Sequence, residues 1–153
     1  MATRKSAPPG SLDQIDTTMV ERFIGYSTRR ASLAIVDTFM RRMAIYELRP
    51  VTFTLLALIA DNPGIMSSQL CALLDIQSSN LVAMIKQLDD RGLIERRPHP
   101  KDVRAQGLHL TAQGASFTRK AQATALAAGL EATARLSDDE RATLDTLLRK
   151  IYQ

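Results

Sequence analysis

Apolar side chains return every three or four residues through most of this chain, and that rhythm predicts six helices interrupted by one hairpin. The first run covers residues 18–47, where Tyr26, Leu33, Val36, Met40 and Met43 make a single stripe. Pro50 ends it and can open a second helix over Val51 to Ala60, as a first-turn proline. Asp61-Asn62-Pro63-Gly64 then breaks the chain. A short helix from Ser68 to Leu74 follows, then a turn at Asp75-Ile76-Gln77 and a helix from Ser78 to Asp90 that stops at Arg91-Gly92. Here the rhythm changes. Leu93 to Arg97 and Ala105 to Leu110 read as the two strands of a hairpin with Lys101, Asp102, Val103 and Arg104 at its tip. Thr111 is placed to cap a long Ala-rich helix that runs to about Leu136. Ser137-Asp138-Asp139-Glu140 has the form of a capping box, and it opens a last helix with Leu144, Leu147, Leu148 and Ile151 on one side.

Helix, turn, helix, basic hairpin is the order of a winged helix-turn-helix. The fold class expected is therefore mainly α (α+β), a winged helix-turn-helix carrying long N- and C-terminal dimerisation helices. At 153 residues the chain suffices for one core rather than two. Residues 1–10, polar and ending Pro-Pro-Gly, are expected to be a disordered basic arm, and residues 11–153 one domain. Within it a winged lobe at about 50–112 sits between dimerisation helices at about 11–47 and 115–153. The last helix carries more apolar side chain than so small a lobe can cover, and an intertwined homodimer would bury it.

At about 100° per residue, Leu81, Met84, Ile85 and Leu88 gather on one side of the 78–90 helix. The opposite side offers Ser79, Asn80, Ala83, Lys86 and Gln87, small or polar groups suited to a major groove. Amides can pair with adenine edges, serine fits several edges, and alanine leaves room for a thymine methyl. Ser67, Ser68 and Ser78, at the starts of the two helices, complete the expected contacts on that side. In the hairpin, Asp102 and Arg104 are two residues apart and project to the same side of an extended strand. A carboxylate there can hold and aim the guanidinium into a narrow minor groove. Arg97 and Lys101 are placed for phosphates, which set register without reading sequence.

Charge and composition agree with this picture without establishing it. The net charge is +4, and four bases stand against one acid between Arg96 and Arg104. With 45% apolar residues the chain is globular. No run approaches the roughly 18 apolar residues of a membrane span, and a cytoplasmic location is expected. Cys71 is the only cysteine, so no internal disulfide can form. His99 and His109 lack metal-ligand spacing, and no phosphate loop, nucleophile elbow or paired acids are present. No cofactor, metal or enzymatic activity is expected.

From about Ile24 to Gly114 the chain resembles the MarR family of transcriptional regulators. The resemblance is carried by Ile24-Gly25-Tyr26-Ser27-Thr28-Arg29-Arg30-Ala31-Ser32, by Leu48-Arg49-Pro50 and by Leu88-Asp89-Asp90-Arg91-Gly92-Leu93-Ile94-Glu95-Arg96. The most specific matches are Asp102-Val103-Arg104 and Leu108-His109-Leu110-Thr111-Ala112-Gln113-Gly114. Membership would imply a homodimer on palindromic double-stranded DNA, usually a repressor, released by a small aromatic or phenolic ligand or its coenzyme A thioester. It would make 78–90 the recognition helix, Arg104 the wing arginine and Asp102 its orienting partner. Met66 stands where the family often has a capping threonine, so Ser67 or Ser68 must take that work.

Tyr26, Arg29, Met40, Met43 and Phe53 are the candidate ligand contacts. Arg29 falls inside an apolar stripe and needs an anion. That anion is either an effector's carboxylate or phosphate or an interhelical carboxylate such as Glu131 or Asp138; otherwise the side chain snorkels to solvent. Cys71, among Leu70, Leu73 and Leu74, reads as a buried structural thiol. A redox switch through Cys71 and a ligand-independent architectural DNA binder are the two rival functions.

Overall fold

The structure, a computed structural model, describes residues 15–99 and 102–153, with the backbone alone at 99 and 102–105. The expected arm at residues 1–10 and the tip residue Lys101 lie outside them. Internal contacts divide the chain into two compact units, residues 1–34 and 35–153. The apolar run expected at 18–47 is not one helix. Asp16 Oδ1 accepts the Thr18 amide at 2.9 Å and Thr17 Oγ1 donates to Glu21 at 2.6 Å. The Asp16 carboxylate thereby competes with helix for a local backbone amide. A 3-10 turn at Val20–Arg22 results, Phe23 is extended (φ −91°, ψ 121°), and α1 starts afresh at Ile24–Met43.

Beyond α1 the chain tightens into a second 3-10 turn, Ala44–Tyr46, and Glu47 adopts a left-handed conformation with φ 53°. Pro50 then opens α2, Pro50–Asp61, as its first-turn proline. The helix-turn-helix follows as α3, Ser67–Leu74, and α4, Ser78–Asp90. Asp75, left-handed at φ 48°, makes the turn between them, a conformation that a short polar side chain tolerates. Strands β1, Ile94–His99, and β2, Asp102–Leu110, pair antiparallel from Ile94↔Leu110 to Pro98↔Gln106. The next pair is His99↔Asp102, so β2 carries three extra residues, 103–105, at a break in the ladder. The hairpin is thus longer at its tip than the apolar alternation indicated. Ile65 adds a bridge to Leu108, with Leu108 N donating to Ile65 O at 3.0 Å.

The core lies between α2, α4, the base of the hairpin and α5, Ala112–Ala132. Leu55, Leu56, Ile59, Leu70, Leu81, Ile85, Leu88, Leu93 and Leu108 are buried in it. At about 1.5–3 kcal/mol for each fully buried aliphatic side chain, this cluster outweighs any surface ion pair in holding the lobe together. Arg42 Nε donates to Glu131 Oε2 at 2.6 Å, tying the end of α1 to α5. Helix α5 ends at Ala132, short of the expected Leu136. Thr133 turns its hydroxyl back onto Gly129 O at 2.8 Å, and Arg141 takes the carbonyls of Thr133 and Leu136. The box at Ser137 is formed: Ser137 N donates to Glu140 Oε2 at 2.8 Å and Glu140 N to Ser137 Oγ at 3.3 Å. It opens α6, Asp138–Tyr152, in which no residue is buried.

Thr111 joins these parts. Its hydroxyl donates to Gly92 O at 2.7 Å and accepts from Gly114 N at 2.9 Å, while its amide donates to Leu93 O at 3.2 Å. Gly92, at φ 65°, turns the chain from α4 into β1. Gly114 lies so close to Leu93 O that a Cβ would stand 1.8 Å from it. Thr111→Val keeps the shape and removes both hydroxyl bonds. It is expected to lower stability by about 1–2 kcal/mol, read as a lower urea midpoint with an unchanged slope.

Candidate nucleic-acid interface

Helix α4 is anchored from one side only. Leu81, Ile85 and Leu88 are buried and Met84 is half-buried, while Ser78, Ser79, Asn80, Ala83, Lys86 and Gln87 are all exposed. The polar face expected from the sequence is therefore an outer face of the protein. It also carries Val82, 59% exposed, between the turns of Ser79 and Lys86. The apolar–polar division of the sequence left Val82 out of both faces. Its place about 100° round the helix from Leu81, between the directions of Ile85 and Lys86, is the signal that could have found it.

Two cations of this surface have carboxylate partners. Lys86 Nζ meets Asp90 Oδ2 at 2.7 Å, and the Asp90 carboxylate raises the lysine pKa above its ordinary value. Arg97, expected to meet phosphate, donates through Nε to Glu95 Oε1 at 3.1 Å. The two side chains share one face of β1 because they are two residues apart. Asp102 and Arg104 both belong to β2, within or beside the break in its ladder. Their side chains, and all of Lys101, lie outside the described residues, so the expected Asp102–Arg104 pair does too.

Helix α3 is not capped by either serine. Ser67 and Ser68 are its first two residues, and Met66, the N-cap, offers no oxygen. Gln69 does half the work instead, its Oε1 accepting the Met66 amide at 2.9 Å. Both serines are exposed. Helix α4 likewise has no side-chain cap at Gln77, which leaves its first-turn amides available. Cys71 is half-buried rather than buried, and its thiol points at Ser78 Oγ, 3.8 Å away. It packs against the edge of the core cluster, at the junction of α3 and α4. His109 is half-buried over Gly64, and no cluster of metal-ligating side chains occurs among the described residues.

The far end of α4 is clamped. Arg91 Nη2 donates to Tyr46 O at 2.9 Å, and its guanidinium lies 5.1 Å from the centre of the Phe117 ring. Tyr46 meets Phe117 edge to face at 5.5 Å, and its hydroxyl is 3.1 Å from Thr124 Oγ1. One side chain thus ties the recognition-helix end to the turn before α2 and to α5.

The candidate ligand contacts separate. Met43 is fully buried in the core. Phe53 stacks edge to face on Phe39 at 5.5 Å, and both line an open groove of about 480 Å³ with Ala57, Gln122, Ala125 and Leu126. Tyr26 lines another cleft, of about 660 Å³, with Ile15, Thr17, Glu21, Ser27 and Arg30. Met40 and Arg29 are exposed. The two carboxylates considered for Arg29 are engaged elsewhere, Glu131 by Arg42 and Asp138 by Arg141.

A helix pair presenting one outer face, followed by a basic two-stranded hairpin bridged to Ile65, is a winged helix-turn-helix. The family model described as MarR family matches residues 46–105. A putative transcriptional regulatory protein for the hcr operon of Thauera aromatica is 34% identical over 131 residues, 85% of this chain and 79% of that protein. Among solved structures, the transcriptional repressor CouR bound to a 23-mer DNA duplex matches with a TM-score of 0.85 and 29% identity, covering 92% of this chain and 99% of that one. A mutant MarR from E. coli complexed with operator DNA matches at 0.77 and 24% identity over 91% and 100%, a likeness of fold alone. The chain belongs to the MarR family of transcriptional regulators.

Arg91→Met preserves packing on Phe117 but leaves the Tyr46 carbonyl without its charged donor. The variant is expected to lose about 1–3 kcal/mol of stability. An unchanged urea midpoint would show that the clamp holds nothing.

Proposed function

We propose that this protein is a homodimeric repressor that binds a palindromic operator and is released by a small aromatic or phenolic ligand or its coenzyme A thioester. The observation that carries the DNA reading is the outer face of α4. Ser79, Asn80, Ala83, Lys86 and Gln87 stand out from the lobe while Leu81, Ile85 and Leu88 lock the helix from behind. A helix of about 10–12 Å diameter fits a major groove about 12 Å wide. Ser67, Ser68 and the open first turn of α4 suit phosphate oxygens. Lys101, Arg97 and Arg104 of the wing extend the contact, Arg104 into the minor groove. The repressor CouR, seen on a DNA duplex, is the structural relative that supports this use of the fold.

Dimerisation is supported by α6. Leu144, Leu147, Leu148 and Ile151 are all exposed on a well-capped helix, and Leu126 and Leu130 of α5 are exposed as well. A second copy of the chain would cover such a stripe, and two heads so joined read half-sites about one helical turn, roughly 34 Å, apart. The protein then acts in the cytoplasm, on the chromosome. No single helix among the described residues is long and apolar enough to cross a membrane.

Release by a ligand requires different affinity for two head arrangements. The groove under Phe39 and Phe53 has the aromatic lining and the size for a small aromatic molecule. Thermal-shift measurements against benzoates, phenols and their coenzyme A thioesters are expected to find one that raises Tm and also weakens operator binding. The DNA reading is tested on duplexes selected from a randomised pool. Arg104→Ala should cost about 1–3 kcal/mol, and Lys101→Ala should lower the slope of log affinity on log salt by about one. If neither moves, the wing does not touch DNA.

A further inference from the structure

The outer face of α4 also indicates what it reads, given that it is the DNA-reading surface. Residues 78–90 contain no arginine, and their one cation, Lys86, is held by Asp90 at 2.7 Å. Guanine is read above all by a bidentate arginine or a free lysine at its O6 and N7, and neither is on offer. Asn80 and Gln87 are exposed amides, the side chains that pair with adenine N6 and N7. Between the turns of Ser79 and Lys86 stands Val82, 59% exposed and unable to hydrogen-bond.

A single exposed valine is ordinary on a protein surface; what distinguishes Val82 is its company. At about 100° per residue, Val82 lies some 80° to one side of the centre of the outer face and Asn80 a similar angle to the other. The two therefore meet different base pairs. Asp89 and Asp90 at the C-terminal end of α4 repel phosphates, so the N-terminal turns, with Val82 in them, enter deepest. The apolar group exposed in a major groove is the thymine C5-methyl.

We propose that Val82 is a specificity-determining residue that packs against a thymine methyl, so that the half-site under α4 has an A·T core without an essential guanine. The contact removes one methyl group and the γ-methyls of Val82 from water together.

The experiment uses the full-length protein and rests on the DNA-binding reading above. Duplexes are selected from a randomised pool at fixed salt, and each thymine of the selected half-site is then replaced in turn by deoxyuridine in both half-sites. Wild-type binding should fall about three- to tenfold at one thymine position and little elsewhere. Val82→Ala should bind the deoxyuridine duplex as well as the wild type does, while losing the preference for thymine at that position. The substitution is on the surface, and an unchanged melting temperature verifies its fold. A selected core centred on G·C pairs overturns the proposal. So does a thymine preference that Val82→Ala retains, which would place the methyl against Ala83. Recovery of no preferred sequence at all removes the DNA-reading function itself, a separate failure.

Discussion

Three elements of the winged head meet at one residue, Thr111. Thr111 donates to Gly92 O, where the recognition helix has just ended, and accepts the Gly114 amide, where α5 begins. Its own amide holds Leu93 O at the foot of β1. Within this knot Gly114 approaches Leu93 so closely that no side chain fits between them. Both strands of the hairpin therefore leave from a point fixed relative to α4 and α5. The aim of the wing is set at its root, since the two strands, unsupported by a larger sheet, could not set it alone.

The recognition helix depends on that same region. Its apolar residues bury it against the core, but its end is fixed by Arg91, which bonds the Tyr46 carbonyl and lies over Phe117. Tyr46 in turn packs on Phe117 and meets Thr124. Two aromatic rings and a guanidinium thus join α5 to the end of α4. On the proposed function this is a physical link from the groove, lined by Gln122, Ala125 and Leu126 of α5, to the surface that meets bases.

Periodicity exposed the bounds of α4, the capping box at Ser137, the first-turn proline at Pro50 and the cap at Thr111, because each is a local event with a local residue code. What escaped it was decided by competition between side chains. The Asp16 side chain draws the Thr18 amide away from helix before Ile24, and Gln69 replaces the serines that were expected to cap α3. Met40 and Met43 look alike in the apolar stripe, yet only Met43 is in the core, which only the packing of later elements decides. Arg97 and Lys86 were legible as cations, but their partners Glu95 and Asp90 were overlooked despite spacings that bring such pairs together. Val82 shows the converse limit, since an apolar letter does not say which way it faces.

Those two internal ion pairs bear on how such a protein would move over a chromosome. Any phosphate that engages Lys86 or Arg97 must first displace a carboxylate already there. On the proposed function, attraction to an arbitrary stretch of duplex, which rests almost wholly on such contacts, would be weakened by this rivalry. At a matching site the contacts to base edges compensate for the exchange. Occupancy would thus be concentrated by loosening the hold on the wrong places, so that the acids beside these cations contribute to selectivity without touching a single base.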